Sequence, residues 1–332
     1  MPSTALTFAR LPNARSAYGE QMYARGRALV ADHGVRIDEL VWDADEVLWD
    51  WVVDARGMLR SSARMVLRGD LGHREHFRIK PGIFELLWGM HHASIERGLD
   101  PYMRVWTNGY PWRAWRVARE VPGWDALLGP PARSSASGHE SFAWHPRFFC
   151  RADFARALRA LIGPDDGAAR LGALPPEARE VVVRQLRSCP FDSTLKVPEL
   201  ALLAGKDGFL ASRVLVDDQE WNAERFAASG RVAVHVVKPP SPLSLGPMQN
   251  AVWTAPHRAF RPLATRIASA IASALVRAVR SRPGTVIDAW SGQPLDDYPF
   301  VEFSIEIPDT MVRREWVEPL RCLRRDARPW RR

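Results

Sequence analysis

Cysteine is scarce in this sequence. The 332 residues include three cysteines, Cys150, Cys189 and Cys322, which lie far apart and form no CxxC pair. A disulfide framework and a cysteine-ligated zinc site are therefore not expected. The same scarcity favours a reducing, cytoplasmic setting.

Long apolar runs are also missing. The first residues contain no apolar core of the kind found in secretory signals, and the most apolar helical stretch, 263–279, is interrupted by Arg266 and Arg277. No membrane partner is expected. Hydrophobic residues make up 46% and charged residues 25%, which is typical of a globular chain and argues against a mostly disordered, collagen-like or coiled-coil protein.

Lysine is rare although the chain is basic. Only four of the 46 basic residues are lysine (Lys80, Lys196, Lys206 and Lys238), and the net charge is +8. Coding bias combined with solubility explains such an arginine excess, and so does attraction to phosphorylated or polyanionic partners. The charge alone does not decide between these interpretations.

Short β-rich runs alternate with helical segments in the middle of the chain. The predicted strands are 39–43, 103–107, 213–217 and 232–237, and the predicted helices are 82–98, 113–121, 151–161, 176–186 and 221–229. This alternation predicts an α/β fold with a Rossmann-like parallel sheet flanked by helices.

Three regions follow from this pattern. Residues 1–38 are predicted to form a helical lead-in with a helix at 17–33, and residues 39–238 to form the α/β domain. A Pro/Ser-rich break at 238–247 separates this domain from a C-terminal extension, 239–332. The extension carries an Ala-rich helix (263–280), an alternating run (301–307) and an Arg-rich end (321–332).

Polar side chains follow three of the predicted strands. They are Asp43 and Asp45, then Thr107 and Asn108, then Asp217 and Asp218 with Asn222 shortly after. Ligands of open parallel sheets bind beyond the carboxyl ends of the strands, so these side chains are expected to share one crevice. Four carboxylates there would repel each other unless a cation compensates them, and an all-oxygen ligand set suits Mg²⁺.

These segments resemble the haloacid dehalogenase-like (HAD) hydrolase superfamily. The resemblance rests on DxDxV at 43–47, TNG at 107–109, the lone lysine Lys196, and DD at 217–218 after an apolar strand. Each motif alone is common, but four in the right order over about 39–237 are specific. The run from Asp43 to Trp51 also resembles the DLDxTLW subgroup, which includes magnesium-dependent phosphatases and FkbH-type proteins.

The resemblance implies a role for each catalytic position. Asp43 would be the nucleophile that forms an aspartyl-phosphate, and Asp45 the general acid and base. Thr107 and Asn108 would bind the phosphoryl oxygens, and Lys196 would offset the charge of nucleophile and phosphate.

The resemblance also implies a metal site and a helical insertion. Asp43, Asp45, Asp217 and Asp218 would hold Mg²⁺ with support from Asn222, which stands where many members have Asp or Glu. The insertion between the second and third motifs, about 110–195, would place helices beside the site.

Asp45 favours a phosphatase over a dehalogenase, since breaking a carbon–halogen bond needs no acid at this position. The expected activity is Mg²⁺-dependent hydrolysis of a phosphorylated small molecule. Two alternatives are a phosphatase that processes nucleic-acid ends through the Arg-rich region and a non-catalytic binding module. The sequence leaves the substrate and the oligomeric state open.

Two further features have more than one interpretation. The tryptophans around the motifs, Trp42, Trp49, Trp51 and Trp106, either pack in the core or form an aromatic wall for a substrate ring. The run 142–151 either lines the pocket or packs. Lys206, the competitor of Lys196 for the lysine motif, is expected in an exposed turn beside Gly205.

Overall fold

The structure, a computed structural model, describes residues 16–51, 73–107, 109, 115–117, 121, 123–130, 144–162, 172, 174, 176, 179–180, 196–237, 265–290, 295 and 302–307. The strands in these residues are β1 (Leu40–Trp42), β2 (Trp49–Trp51), β3 (His73–Ile79), β4 (Arg104–Trp106), β5 (Phe148–Phe149), β6 (Val214–Asp217), β7 (Val232–Val237), β8 (Thr285–Trp290) and β9 (Glu302–Ile307). The main helices are α1 (Ala17–Ala31), α2 (Ile83–Glu96), α3 (Trp124–Leu128), α4 (Arg151–Ile162), α5 (Pro198–Leu203), α6 (Glu220–Ala228) and α7 (Ile267–Ala278).

Six strands form one parallel sheet in the order β5-β4-β1-β6-β7-β8. Strand β1 is short but buried on both faces, which explains why its sequence is an uninterrupted apolar run. The predicted α/β class, a Rossmann-like parallel sheet flanked by helices, is confirmed.

A layer of helices covers each face of the sheet. On one face, Trp42, Val105 and Val216 belong to a core that includes buried residues of α1, α2 and α7. On the other face, Val41 and Leu215 belong to a core that includes buried residues of α4, α5 and α6. Because side chains alternate along a strand, Asp43 and Asp217 extend toward the layer that contains α5 and α6.

Helices α1 and α2 cross with their backbones in close approach at two glycines. A Cβ atom on Gly26 would lie 2.1 Å from the Leu86 carbonyl oxygen, and one on Gly89 would lie 2.1 Å from the Tyr23 carbonyl oxygen. Only glycine leaves room for this approach, so the two glycines fix the N-terminal helix against the core.

The second sheet is antiparallel and has the order β2-β3-β9. Strand β9 comes from the alternating run predicted at 301–307, and it pairs with β3 along six residue pairs. A C-terminal segment therefore completes a sheet whose other two strands lie between the first and second motifs.

The predicted strands and helices that the described residues cover in full agree with the structure. The four predicted strands are β1, β4, β6 and β7, and the predicted helices at 17–33, 82–98, 151–161, 221–229 and 263–280 are α1, α2, α4, α6 and α7, with ends shifted by a few residues. Of the predicted helices 113–121 and 176–186, only residues 115–117, 121, 176 and 179–180 are described, and all of these except Val121 are helical. The Arg-rich end, 321–332, lies outside the described residues.

Two strands of the main sheet come from regions that the sequence placed elsewhere. Strand β5 lies within the predicted insertion, and its two buried phenylalanines show that this part of the run 142–151 packs in the core. Strand β8 lies within the predicted extension and pairs with β7 over six residues. Within the described residues, no helix is long and apolar enough to cross a membrane.

Candidate functional site

Three carboxylates converge at the centre of the six-stranded sheet. Asp43 follows β1, Asp217 ends β6 and Asp218 comes next, and one ligand oxygen from each lies within 4.8 Å of the others. Strands β1 and β6 are neighbours, and the chain builds the sheet in one direction after β1 and in the other direction after β6. This is the topological switch point, where open α/β sheets form their ligand crevice.

A buried lysine joins two of these carboxylates. Lys196 precedes α5, and its Nζ lies 2.9 Å from Asp43 Oδ1 and 2.5 Å from Asp217 Oδ2. The lysine side chain is 1% exposed, so both ion pairs are shielded from solvent. The predicted partners Asp43, Asp217, Asp218 and Lys196 are thus brought together in space.

The site carries more negative than positive charge. Burial raises the pKa of Asp43 well above its usual range, against the opposing effect of Lys196, and Asp217 raises it further. Burial and the neighbouring Asp217 raise the pKa of Asp218 to about 6. Burial lowers the pKa of Lys196, but Asp217 and Asp43 outweigh this effect and raise it. One ammonium does not balance three carboxylates, so the site can hold a further cation.

Asp217 is fixed by a full set of hydrogen-bond donors. Its Oδ2 accepts from Lys196 Nζ, its Oδ1 accepts from the Gln219 N–H at 2.8 Å, and Asn222 Nδ2 lies 3.2 Å from both oxygens. A carboxylate has about four acceptor positions, and these contacts fill them. Asp217 therefore holds Lys196 and the turn that leads into α6.

Asn222 contributes one observation that bears on a cation. The side chain is 1% exposed, and its Oδ1 has no hydrogen-bond partner within the described part of the chain. A buried carbonyl oxygen without a partner is costly unless water or a cation satisfies it. Together with the carboxylates, this oxygen gives an all-oxygen donor set, which fits a hard divalent ion.

Asp43 is oriented by the residue that follows it. Its Oδ1 accepts a hydrogen bond from the Ala44 N–H at 2.8 Å as well as the contact from Lys196. The pKa of Asp218 is lowered slightly by a hydrogen bond that it shares with Asp43. The two carboxyl groups therefore lie side by side at the candidate metal position.

Thr107 occupies the equivalent position after β4. It is buried, its N–H donates to the Phe149 carbonyl oxygen at 2.9 Å, and its Oγ1 accepts from the Gly109 N–H at 2.9 Å. Since β4 pairs with β1 in parallel, Thr107 and Asp43 lie at the same edge of the sheet. Asn108, the predicted companion of Thr107, lies outside the described residues.

Asp45 lies in the tight turn between Asp43 and β2. It is half-buried, and its Oδ1 accepts a hydrogen bond from Trp49 Nε1 at 3.0 Å. Sequence reasoning missed this contact. The spacing of four residues was visible, but only the fold of the turn brings the indole back to the carboxylate.

The tryptophans that flank the motifs pack in the core. Trp42 and Trp106 are fully buried and Trp49 is 2% exposed, so they do not form a wall that a substrate could contact in this structure. The side chain of Trp51 lies outside the described residues.

The expectation of an exposed Lys206 is wrong. Lys206 is 3% exposed, and its Nζ lies 2.7 Å from Asp153 Oδ2 and also donates to the Phe148 carbonyl oxygen. Although Gly205 does form an exposed turn, the following side chain turns inward because strand β5 offers it a carbonyl oxygen and the first turn of α4 offers it a carboxylate. The ion pair covers the edge of the sheet.

Comparisons of the chain with family profiles, with curated proteins and with solved structures yield no match. What the site can do is therefore inferred from its own geometry and from the motifs that build it.

Proposed function

We propose that this chain is a Mg²⁺-dependent phosphomonoesterase of the haloacid dehalogenase-like type. The observation that carries the proposal is the buried Lys196 between Asp43 and Asp217, with Asp218 beside them at the switch point of the sheet. The surplus of carboxylates calls for a cation, and a lysine beside a carboxylate nucleophile would offset the charge of an incoming phosphate.

In the first step, a carboxylate oxygen of Asp43 attacks phosphorus and the bond to the leaving oxygen breaks. Asp45 gives its proton to that oxygen, so the alcohol leaves neutral. Thr107 and Asn108 donate hydrogen bonds to the phosphoryl oxygens. The product of this step is an aspartyl-phosphate on Asp43.

In the second step, Asp45 takes a proton from water and the water oxygen attacks phosphorus. The bond between phosphorus and Asp43 breaks, which releases phosphate and restores both carboxyl groups. Lys196 remains paired with Asp217 and limits the charge that gathers at the reacting centre.

Asp43 and Asp218 would hold the metal through their carboxylates and Asp45 through its backbone carbonyl oxygen, which leaves the Asp45 carboxyl group to the proton transfers. Asp217 and Asn222 support the site through hydrogen bonds. When bound, Mg²⁺ supplies positive charge that offsets the phosphoryl oxygens during transfer.

The test is phosphate release by the purified full chain from a broad panel of phosphate esters, with and without Mg²⁺. Activity is expected only with the metal, and Asp43→Asn is expected to abolish it. Asp32→Asn, an exposed aspartate at the end of α1, is the matched control and should leave turnover unchanged. A wild-type chain that binds Mg²⁺ but hydrolyses none of the esters would indicate a non-catalytic module.

A further inference from the structure

The backbone between Asp43 and β2 forms a tight turn that is closed by two hydrogen bonds. The Leu48 N–H donates to the Ala44 carbonyl oxygen at 3.0 Å, and the Glu46 N–H donates to the Trp49 carbonyl oxygen. Glu46 has a φ of 64°, in the left-handed region that side chains other than glycine rarely adopt. This conformation brings residue 49 back beside residue 45, where the two form an isolated bridge.

The Trp49 indole is the side chain that reaches Asp45 across this turn. Its Nε1–H donates to Asp45 Oδ1 at 3.0 Å, and the ring itself is 2% exposed. The edges of two more rings hold it in place, with centroids 5.2 Å away for Trp124 and 6.3 Å for Phe77. A ring packed this way has one orientation, so its N–H has one direction.

The backbone at Trp49 is equally constrained. Trp49 is the first residue of β2 and pairs with Ile79 in β3, and the Lys80 N–H donates to the Leu48 carbonyl oxygen at 3.0 Å. Strand β3 is in turn held by β9. The donor that contacts Asp45 is therefore carried by a three-stranded sheet.

We propose that Trp49 is a positioning residue for Asp45. By fixing one carboxylate oxygen, the indole N–H fixes the direction in which the other oxygen points, so that a proton can pass between that oxygen and the reacting group. This inference rests on the proposed function. Trp49 does not touch the substrate in this scheme, because it is buried behind the carboxylate.

A misplaced general acid has a characteristic kinetic effect. A leaving group that is stable as an anion needs no proton, whereas an alkoxide does. Loss of the Trp49 contact should therefore penalise alkyl phosphates much more than nitrophenyl phosphate. General weakening of the fold would penalise both equally.

The experiment compares Trp49→Phe with Trp88→Phe in the full chain with Mg²⁺. Both variants keep an aromatic ring in the same core and both lose an indole N–H, but the Trp88 N–H has no hydrogen-bond partner in the described structure. The quantity measured is kcat/KM, which covers the steps up to cleavage of the ester bond, for a series of aryl and alkyl phosphates.

For Trp49→Phe, kcat/KM is expected to fall by about 10- to 100-fold for alkyl phosphates and by less than about twofold for nitrophenyl phosphate. Trp88→Phe should leave the dependence on the leaving group unchanged. The inference is overturned if Trp49→Phe lowers kcat/KM for all esters equally, if it changes none, or if Trp88→Phe shows the same selective loss. A wild-type chain inactive on every ester would instead overturn the proposed function and this inference with it.

A second measurement does not need a folded Trp49 variant. In protein labelled with ¹⁵N-tryptophan, Asp45→Asn should shift one indole N–H resonance and speed its exchange with solvent, because an amide replaces the carboxyl group that accepts the hydrogen bond. If no indole resonance responds, the hydrogen bond does not exist in solution and the proposal is wrong.

Discussion

Two lysines ten residues apart are both buried and both paired with aspartate, yet their surroundings differ. Lys196 lies among Asp43, Asp217 and Asp218, so negative charge exceeds positive charge. Lys206 forms an ion pair with Asp153. The Asp153 carboxylate also lies 3.2 Å from Arg156 Nη1 and accepts a hydrogen bond from the Cys150 N–H.

The comparison shows which property separates a reactive site from a structural one. Burial and ion pairing are common to both lysines, so neither is diagnostic. Around Lys206, the ammonium and the Arg156 guanidinium both lie against Asp153, so the protein itself compensates the charge of that carboxylate. Around Lys196, one ammonium lies among three carboxylates, and the pKa values of Asp43 and Asp218 are raised. An uncompensated group of charges, not a buried charge as such, indicates a ligand.

Replacing Lys196 is expected to have the largest effect on activity. Lys196→Met removes the cation beside the proposed nucleophile, so kcat should fall by about 100-fold or more. The check is kcat on the best ester of the panel, corrected for the folded fraction. If Lys196→Met keeps the wild-type kcat, the proposal that Lys196 belongs to a reactive site while Lys206 is structural is wrong.

Replacing Lys206 should affect stability instead. Lys206→Met leaves Asp153 and the Phe148 carbonyl without their buried ammonium, and breaking such a pair is expected to lower the free energy of unfolding by about 3 kcal/mol. Urea unfolding measures this change, and kcat per folded molecule should stay at the wild-type level. A drop in kcat comparable with that of Lys196→Met would show that both lysines serve the site.

Replacing an aspartate by asparagine should have opposite effects on the free energy of unfolding at the two lysines. The two changes compared are Asp218→Asn, near Lys196, and Asp153→Asn, near Lys206. Without metal, Asp218→Asn removes repulsion and should raise the free energy of unfolding by about 1 kcal/mol. Asp153→Asn, the matched change, should lower it. Adding Mg²⁺ should stabilise the wild type more than Asp218→Asn, since a ligand that binds the folded state raises its stability. Thermal unfolding with and without Mg²⁺ tests all three statements, and equal signs for the two variants would contradict them.

Glu85 extends the comparison to a buried acid for which no ion pair is found in the described structure. It lies in the first turn of α2 and is 4% exposed, and burial raises its pKa to about 7 against a hydrogen bond from its own backbone. The folded state therefore keeps a proton that the unfolded state releases above about pH 4.5. Stability should fall as pH rises from about 4.5 to 7, by about 3 kcal/mol. Urea unfolding at several pH values measures how the free energy of unfolding depends on pH. Glu85→Gln should weaken this dependence, and an unchanged dependence would show that other titrating groups cause it.

Much of the fold could be predicted because the signals are local. Strands β1 and β6 are apolar runs that end in aspartate, and α1 starts at Ala17 because Ser16 caps it, with Oγ accepting from the Gly19 N–H at 3.0 Å. Strand β5 has only two residues, too few for any periodic pattern. Strand β8 follows a Pro/Ser-rich break that argues for a boundary, whereas its pairing with β7 depends on partners distant in sequence.

The candidate site also has features that could be predicted from the sequence and features that could not. The three aspartates and Lys196 were predictable from their places after apolar strands and from the order of the motifs. The hydrogen bond from Trp49 to Asp45 was not, because it depends on a left-handed residue at Glu46 that the sequence does not reveal. The inward turn of Lys206 depends on Asp153, more than fifty residues away.

The pairing of β9 with β3 has a consequence for synthesis on the ribosome. A nascent chain that has emerged through Trp290 already contains every strand of the parallel sheet, but it still lacks the edge partner of the hairpin that carries Trp49. Under the proposed mechanism, full competence would come only after Ile307 has left the exit tunnel, so the order of translation itself would delay catalysis until after the strands of the parallel sheet have been made.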